Sequence, residues 1–280
     1  MVNRYPYQTT HLAERLTVSK RKNGRIGTQR AHEETQDTGR MVFYDTLKER
    51  AVLAPVVDCF ETIAMVAGKA GIGKLSQEPM RTDMARNIRA KQFMEVTAAD
   101  GRKPQEADTL IMLDNDHIHD PFILIRLAQQ ITDRAGGRGV VAGLAVRRKP
   151  PFDTLMFKRG ADGLSHALLP GEPGLYEVDA LGHGAIAIAR WVFEDLEAAG
   201  LGYPFWRYEY DGDGDSPSED MYFCKSCSVA GISLWVDSSL VSPHLVLHGL
   251  TDADTRAYAE QHPEIVVSMD NVEVEVVNNA

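Results

Sequence analysis

The chain has 280 residues, 44% hydrophobic, 25% charged and 8% aromatic, a globular composition that excludes a disordered chain or a repeat array. Thirty Lys and Arg against forty Asp and Glu give a formal net charge of -10, which argues against a general polyanion binder. The charge is local: residues 1–30 carry seven basic side chains and one acidic, whereas residues 209–220 carry six acidic and no basic ones.

In chain order, residues 1–40 are polar and basic and read as an extension rather than a core, an arm able to touch nucleic acid or another anionic surface. The main folded domain is expected over 41–250. Its first strand is placed at 51–58 (AVLAPVVD), followed by a helix over 59–68 with Gly68 available as a C-cap. A Gly/Lys-rich loop (69–78) leads to a helix over 79–96, on which Met84, Ile88, Phe93 and Met94 fall near one face. An apolar strand ending in acid (109–114) precedes a helix over 121–135 with Pro121 in its permitted first turn. The alternation continues with a strand at 140–146, a Pro-broken loop, a strand at 185–189 and a helix over 190–199. An acidic loop, a helix over 218–231 and a strand at 233–237 complete it, and 251–280 holds a helix and a Val-rich strand at 272–277. Strands alternating with helices predict an α/β sandwich with a mainly parallel sheet that binds its ligand at the carboxyl ends of the strands.

Three cysteines are too few for a disulfide framework and point to a reducing compartment. Cys224 and Cys227 form a CxxC, but with no second pair or clustered His they read as small buried residues on a helix. No signal peptide is visible, and no apolar run approaches the roughly 20 residues needed to cross a bilayer. The expectation is a soluble, cytoplasmic protein.

The strongest motif is LIMLDNDHIHD (110–120). Its strand delivers Asp114 and Asp116 to the carboxyl end, and residues two apart in extended chain point the same way. Two such carboxylates need a cation, and oxygen donors favour Mg²⁺ or Mn²⁺, which leave positions for phosphate oxygens. Asp120 reads as an N-cap, and His117 and His119 as surface or supporting residues. Ser218-Glu219-Asp220 opens a helix with acids at its positive end, and a carboxylate fixed there suits general-base work on a hydroxyl. His244, after the last strand and Pro243, is available as a further metal ligand.

Two rival motifs are present. GKAGIGKL (68–75) approaches the phosphate-cradling loop of a P-loop NTPase, with Lys74 in the lysine position, but Leu75 replaces the metal-binding hydroxyl and a helix, not a strand, precedes it. Counted from Asp211, YEYDGDGDSPSED puts Ser216 and Tyr222 where an EF-hand needs Gly and Glu.

Taken together, from about Arg50 to His248, the order of motifs resembles the GT-A glycosyltransferases, in particular soluble family 2-like enzymes of the kind bacteriophages encode. The resemblance rests on VLAPVVD, Ala85-Arg86-Asn87, the Asp114/Asp116 strand, LGHGAIAIARWVFEDL, Pro204-Phe205-Trp206, the Ser-Glu-Asp helix start and His244. It implies a GT-A, Rossmann-like three-layer fold and transfer of a sugar from a nucleotide-sugar donor, a UDP-sugar first. It further implies that Pro55, Asp58, Arg86, Asn87 and Asn115 lie at the nucleotide and that Gly182 and Gly184 let the backbone approach the sugar. Asp114, Asp116 and His244 would hold Mn²⁺ or Mg²⁺ across the diphosphate. Phe205 and Trp206 would stack on the acceptor, and Asp220, beside Glu219, would deprotonate its hydroxyl if the enzyme inverts. His183, between the two glycines, and the GKAGIGK loop depart from the usual pattern. The acceptor is expected to be a saccharide or protein, or a hydroxymethylated base in phage DNA, the last motivated by the basic arm. A P-loop NTPase and a non-catalytic sugar- or metal-binding module are the other readings.

Overall fold

The structure, a computed structural model, describes residues 42–46, 54–75, 80–95, 108–133, 139–149, 151–209, 218–246 and 252–261. Two compact units part between Leu245 and Val246.

In the first unit, β1 (Val42–Thr46) is followed by α1 (Ala54–Lys69), β2 (Gly73–Lys74), α2 (Thr82–Glu95), β3 (Thr109–Leu113), α3 (Ile123–Asp133) and β4 (Val140–Leu144). Four short strands come next: β5 (Met156–Arg159), β6 (Ser165–Ala167), β7 (Leu175–Val178) and β8 (Ala180–Leu181). β9 (Ala185–Ala189), α4 (Arg190–Ala198), α5 (Glu219–Val229) and β10 (Leu234–Val241) close the unit. In the second unit the described helix is α6 (Asp252–Gln261).

The main sheet has seven strands in the order β2-β1-β3-β9-β4-β10-β7, and a small sheet has the order β6-β5-β8. β2, β1, β3, β4 and β10 run in one direction, while β9 and β7 run against their neighbours. β3, β4 and β9 are buried at every residue, as strands covered on both faces must be. The cover is two groups of helices: α1 packs with α3, and α4 packs with both α2 and α5. The α/β architecture with a mainly parallel sheet expected from the alternation is therefore present.

The start of the fold differs from the sequence reading. Residues 54–58, assigned to a strand, are the first turns of α1, which buries Val56, Ile63 and Ala67 at helical spacing and carries Pro55 where a missing N–H costs nothing. A short apolar run fits either element. The first strand is instead β1, a Phe- and Tyr-bearing stretch. The Pro-broken loop contains β5 to β8, and the strand expected at 272–277 lies outside the described residues, as do residues 1–40 and the Asp211 to Asp215 loop.

β1 and α2 are joined by a buried ion pair in which Arg89 Nε donates to Asp45 Oδ2 at 2.6 Å, both side chains being at most 1% exposed. A buried pair broken on one side strands the other charge. Asp45→Ala is expected to lower the unfolding free energy by about 3–5 kcal/mol, read from denaturant midpoints.

Candidate functional site

Four chain segments meet at one edge of the sheet because of strand direction. The carboxyl ends of β3, β4 and β10 lie together, and the reversed β9 brings its amino end, with Gly182-His183-Gly184, among them. Backbone bonds fix the meeting: Asp114 N–H donates to Gly184 O at 2.8 Å, Ile118 N–H to Pro243 O at 3.0 Å and Leu245 N–H to Asp116 O at 2.7 Å. A register shift between Asp237 and Val241 turns β10 toward this edge. It is possible because Gly143 has no Cβ, which would stand 2.8 Å from Leu240 O.

Within this edge, Asp116, His117 and His244 each offer one ligand atom, and the three lie within 4.8 Å of one another. Asp116 Oδ1 lies 2.8 Å from His117 Nδ1, Oδ2 lies 2.9 Å from His244 Nε2, and Arg148 Nη1 donates to Oδ2 at 3.2 Å. Burial works against ionising Asp116, but hydrogen bonds from His117 and His244 hold it well below the usual carboxylate range. The His244 imidazole is pushed up by its hydrogen bond to Asp116. Two details fit this group to a cation. His244 Nδ1 faces Val146 O at 3.1 Å, which calls for a proton on Nδ1. With Nε2 2.9 Å from a carboxylate oxygen, that nitrogen then either carries a proton as well or turns its lone pair to a cation shared with the carboxylate. His117 Nε2, meanwhile, is buried with no hydrogen-bond partner.

Asp114 belongs to a different cluster. The buried Arg86 guanidinium on α2 donates from Nη2 to Asp114 Oδ1 and Oδ2 at 3.2 and 3.4 Å, from Nη1 to Glu219 Oε1 at 3.1 Å, and to Asp220 Oδ1. Ser218 caps α5, accepting from Met221 N–H at 3.4 Å, and so sets Glu219 and Asp220 at the helix start. Asp220 Oδ1 also lies 2.9 Å from His183 Nδ1, and its Oδ2 accepts from His183 N–H at 3.2 Å. Burial opposes the charge on Asp220, yet Arg86 and His183 hold its carboxyl well below the usual range. Burial, then Asp220, pushes Glu219 up, and burial raises Asp114 against the pull of Arg86.

The other expected residues have varied surroundings. The Asn87 amide is buried and holds the Trp206 backbone, donating to Trp206 O at 2.6 Å and accepting from Trp206 N–H at 3.2 Å. Phe205 and Trp206 are core residues, 2% and 0% exposed, and Trp206 stacks on Phe223 with centroids 4.6 Å apart, so neither ring faces solvent for an acceptor. Pro55 and Asp58 are exposed at the start of α1. Gly182 and Gly184 make room for side chains: a Cβ would stand 2.8 Å from Leu155 Cβ at the first and 2.9 Å from His117 Nε2 at the second. Asn115 is buried between the two aspartates with its Nδ2 unpartnered.

The P-loop reading is not built. Gly68 and Lys69 end α1, and the chain runs through a turn into edge strand β2 rather than from a strand into a helix. Lys74 Nζ lies over the Tyr44 ring, 5.8 Å from its centroid. Cys224 and Cys227 are buried on α5, and burial pushes the Cys224 thiol up to about 12. His119 supports the turn, with Nε2 2.9 Å from Asp114 O and Nδ1 2.9 Å from Ser242 Oγ; burial brings it down to about 4. Sequence reasoning missed His117 as a partner of Asp116 and missed Arg148 altogether. The signal for Arg148 was the basic pair Arg147-Arg148 directly after a buried strand.

No family model matches the sequence, and no curated protein does. Among solved structures, the chain is similar to A197 from STIV, at 19% identity over 74% of this chain and 86% of that one, with a TM-score of 0.49. It is also similar to a CMP:2-keto-3-deoxy-manno-octonic acid synthetase complexed with CTP, at 11% identity over 81% and 100% of the two chains and a TM-score of 0.35. Glucosyl-3-phosphoglycerate synthase from Mycobacterium tuberculosis, solved with Mn²⁺, UDP-glucose and phosphoglyceric acid, matches at 12% identity over 86% and 82%, with a TM-score of 0.37.

Gly184→Ala tests the Asp116 group without removing a polar atom. The added methyl must displace the His117 ring, and any Mn²⁺ affinity the native group has, measured by calorimetry, is expected to fall about 10- to 100-fold, as when a metal site loses its supporting contacts.

Proposed function

We propose that the chain is a metal-dependent glycosyltransferase that moves a sugar from a nucleotide-sugar donor, a UDP-sugar first, to an acceptor hydroxyl. The observation that carries this reading is the convergence, at the carboxyl edge of a mainly parallel sheet, of the Asp116–His117–His244 group with the Arg86-held carboxylates of α5. Ligand crevices of open α/β sheets lie at this edge.

Asp116 and His244 would hold the metal, with His117 orienting the Asp116 carboxylate or joining as a third ligand. A carboxylate with imidazole nitrogens suits Mn²⁺ better than Mg²⁺, which prefers oxygen donors alone. When bound there, a cation would supply Lewis-acid stabilisation of the charge on a departing nucleoside diphosphate. Asp114 enters this reading through Arg86 rather than as a first ligand. Asn115 Nδ2, buried and unpartnered between the two aspartates, would be a donor to the nucleotide sugar, and the exposed Pro55 and Asp58 at the start of α1 would flank the nucleoside.

Asp220 is the proposed base on an inverting course. Arg86 and His183 fix its orientation and keep it ionised. A carboxylate this acidic is poorly matched to a resting hydroxyl. It takes the proton only as the new bond to the anomeric carbon forms and the attacking oxygen becomes acidic. The acceptor under this proposal is a saccharide or protein; a base in DNA would need the basic arm at 1–40.

Binding to the native state raises stability by about 2.7 kcal/mol at one hundred times Kd. UDP with Mn²⁺ is therefore expected to raise the melting temperature of the native chain and to leave Asp116→Ala unmoved. Stabilisation by ATP alone, equal in both proteins, would sink the proposal. With a donor identified, Asp220→Asn should keep nucleotide binding and lose about 10²- to 10⁴-fold in kcat, the usual worth of a general base.

A further inference from the structure

We infer that Arg148 is an exchange residue: it neutralises Asp116 until a divalent cation takes its place, and then contacts the diphosphate of the nucleotide donor. The inference rests on the proposed function and names an anion contact for the same site. Its basis is a shared atom. Asp116 Oδ2 lies 2.9 Å from His244 Nε2 and accepts from Arg148 Nη1 at 3.2 Å, so an oxygen of the candidate metal group already carries a guanidinium. Two cations on one carboxylate oxygen repel, and the arginine is the mobile one: its side chain is 59% exposed, against 10% for His244.

The backbone beneath Arg148 is pinned, which limits where the released guanidinium can go. Val146 bridges to Thr154, Arg147 N–H donates to Asp153 O at 2.9 Å, and Phe152 N–H donates to Lys149 O at 3.0 Å. The neighbouring Arg147 is already occupied by Asp153, with Nε to Oδ1 at 2.6 Å and Nη2 to Oδ2 at 3.2 Å. Arg148 is thus held beside the metal group with only its side chain free to swing. An anion bound at a metal held by this group would meet such a side chain, and the planar fork of arginine matches phosphate oxygens in pairs. Exchange makes the two ligands help one another: the cation frees the arginine for the anion, and the anion draws the arginine off the carboxylate. Such coupling is reciprocal.

The test compares the full native chain with Arg148→Met, using Mn²⁺ alone and then UDP and inorganic pyrophosphate at saturating Mn²⁺, all by calorimetry. Circular dichroism and the melting temperature check that the exposed substitution leaves the fold intact. Without its competitor, Arg148→Met should bind Mn²⁺ more tightly than the native chain, and should bind UDP and pyrophosphate more weakly, each by roughly 5- to 100-fold, the usual span of a coupling between sites. Opposite signs for the two ligands are the signature, since a general loss of structure weakens both. Unchanged or weaker Mn²⁺ binding by the variant overturns the exchange, and unchanged UDP and pyrophosphate binding overturns the anion contact. A native chain that binds Mn²⁺ and UDP as proposed, beside a variant with the same constants, removes this inference alone. A native chain that binds no Mn²⁺ removes the metal centre and this inference with it.

Discussion

The Arg86 guanidinium, less than 2% exposed, is surrounded by Asp114, Glu219 and Asp220, and these come from the end of β3 and the start of α5, far apart in sequence. Burying a guanidinium is costly unless carboxylates surround it, and packing three carboxylates together is costly unless a cation lies among them. Each therefore makes the other tenable. The pairing also sorts the acids. With Asp114 and Asp220 drawn onto Arg86, Asp116 is left to face His117, His244 and Arg148. Two acidic centres result from what the spacing Asp-Asn-Asp suggests is one.

His183 sits where the centres are buttressed from beneath. Trp206 Nε1–H points at its Nδ1 from 3.1 Å, Cys224 Sγ lies 3.9 Å from its Nε2, and its own N–H reaches Asp220. The side chains expected to touch an acceptor, Phe205 and Trp206, thus act one layer below, packed on Phe193 and Phe223 and holding a histidine that holds a carboxylate. Asn87 extends the same support by fixing the Trp206 backbone.

Much of the sheet could be read from sequence because its central strands are buried on both sides. TLIML, VVAGL and AIAIA are short, largely apolar stretches that alternate with longer amphipathic ones, and that alternation marks them as strands buried on both faces. The short run at 54–58 carried no such signal, and its helix is decided by tertiary packing. At the site, the rule that residues two apart point the same way applies only within extended chain. β3 ends at Leu113, so Asp114 and Asp116 already lie in the following turn and face different partners. Composition could not say whether Pro-Phe-Trp is a surface platform or a buried prop, because aromatic rings serve as both. The pairing of Asp116 with His244 came from the order of motifs alone, since 128 residues separate them and no local periodicity spans that distance.

β9 runs opposite to the strands on either side of it, and geometry follows from that reversal. In a purely parallel sheet only segments leaving strands gather at the carboxyl edge. Here the segment approaching β9 gathers there as well, so everything between β4 and β9, the small sheet included, is a detour that departs from this edge at Ala145 and returns to it at Gly184. Both anchorages carry side chains of the two acidic centres, Arg148 on the outward path and His183 on the way back. β7 is the one part of the detour that joins the main sheet, pairing with β10 at its edge, while β5, β6 and β8 form the small sheet apart from it. The reversal of one strand thus places both ends of a long surface excursion beside the two acidic centres.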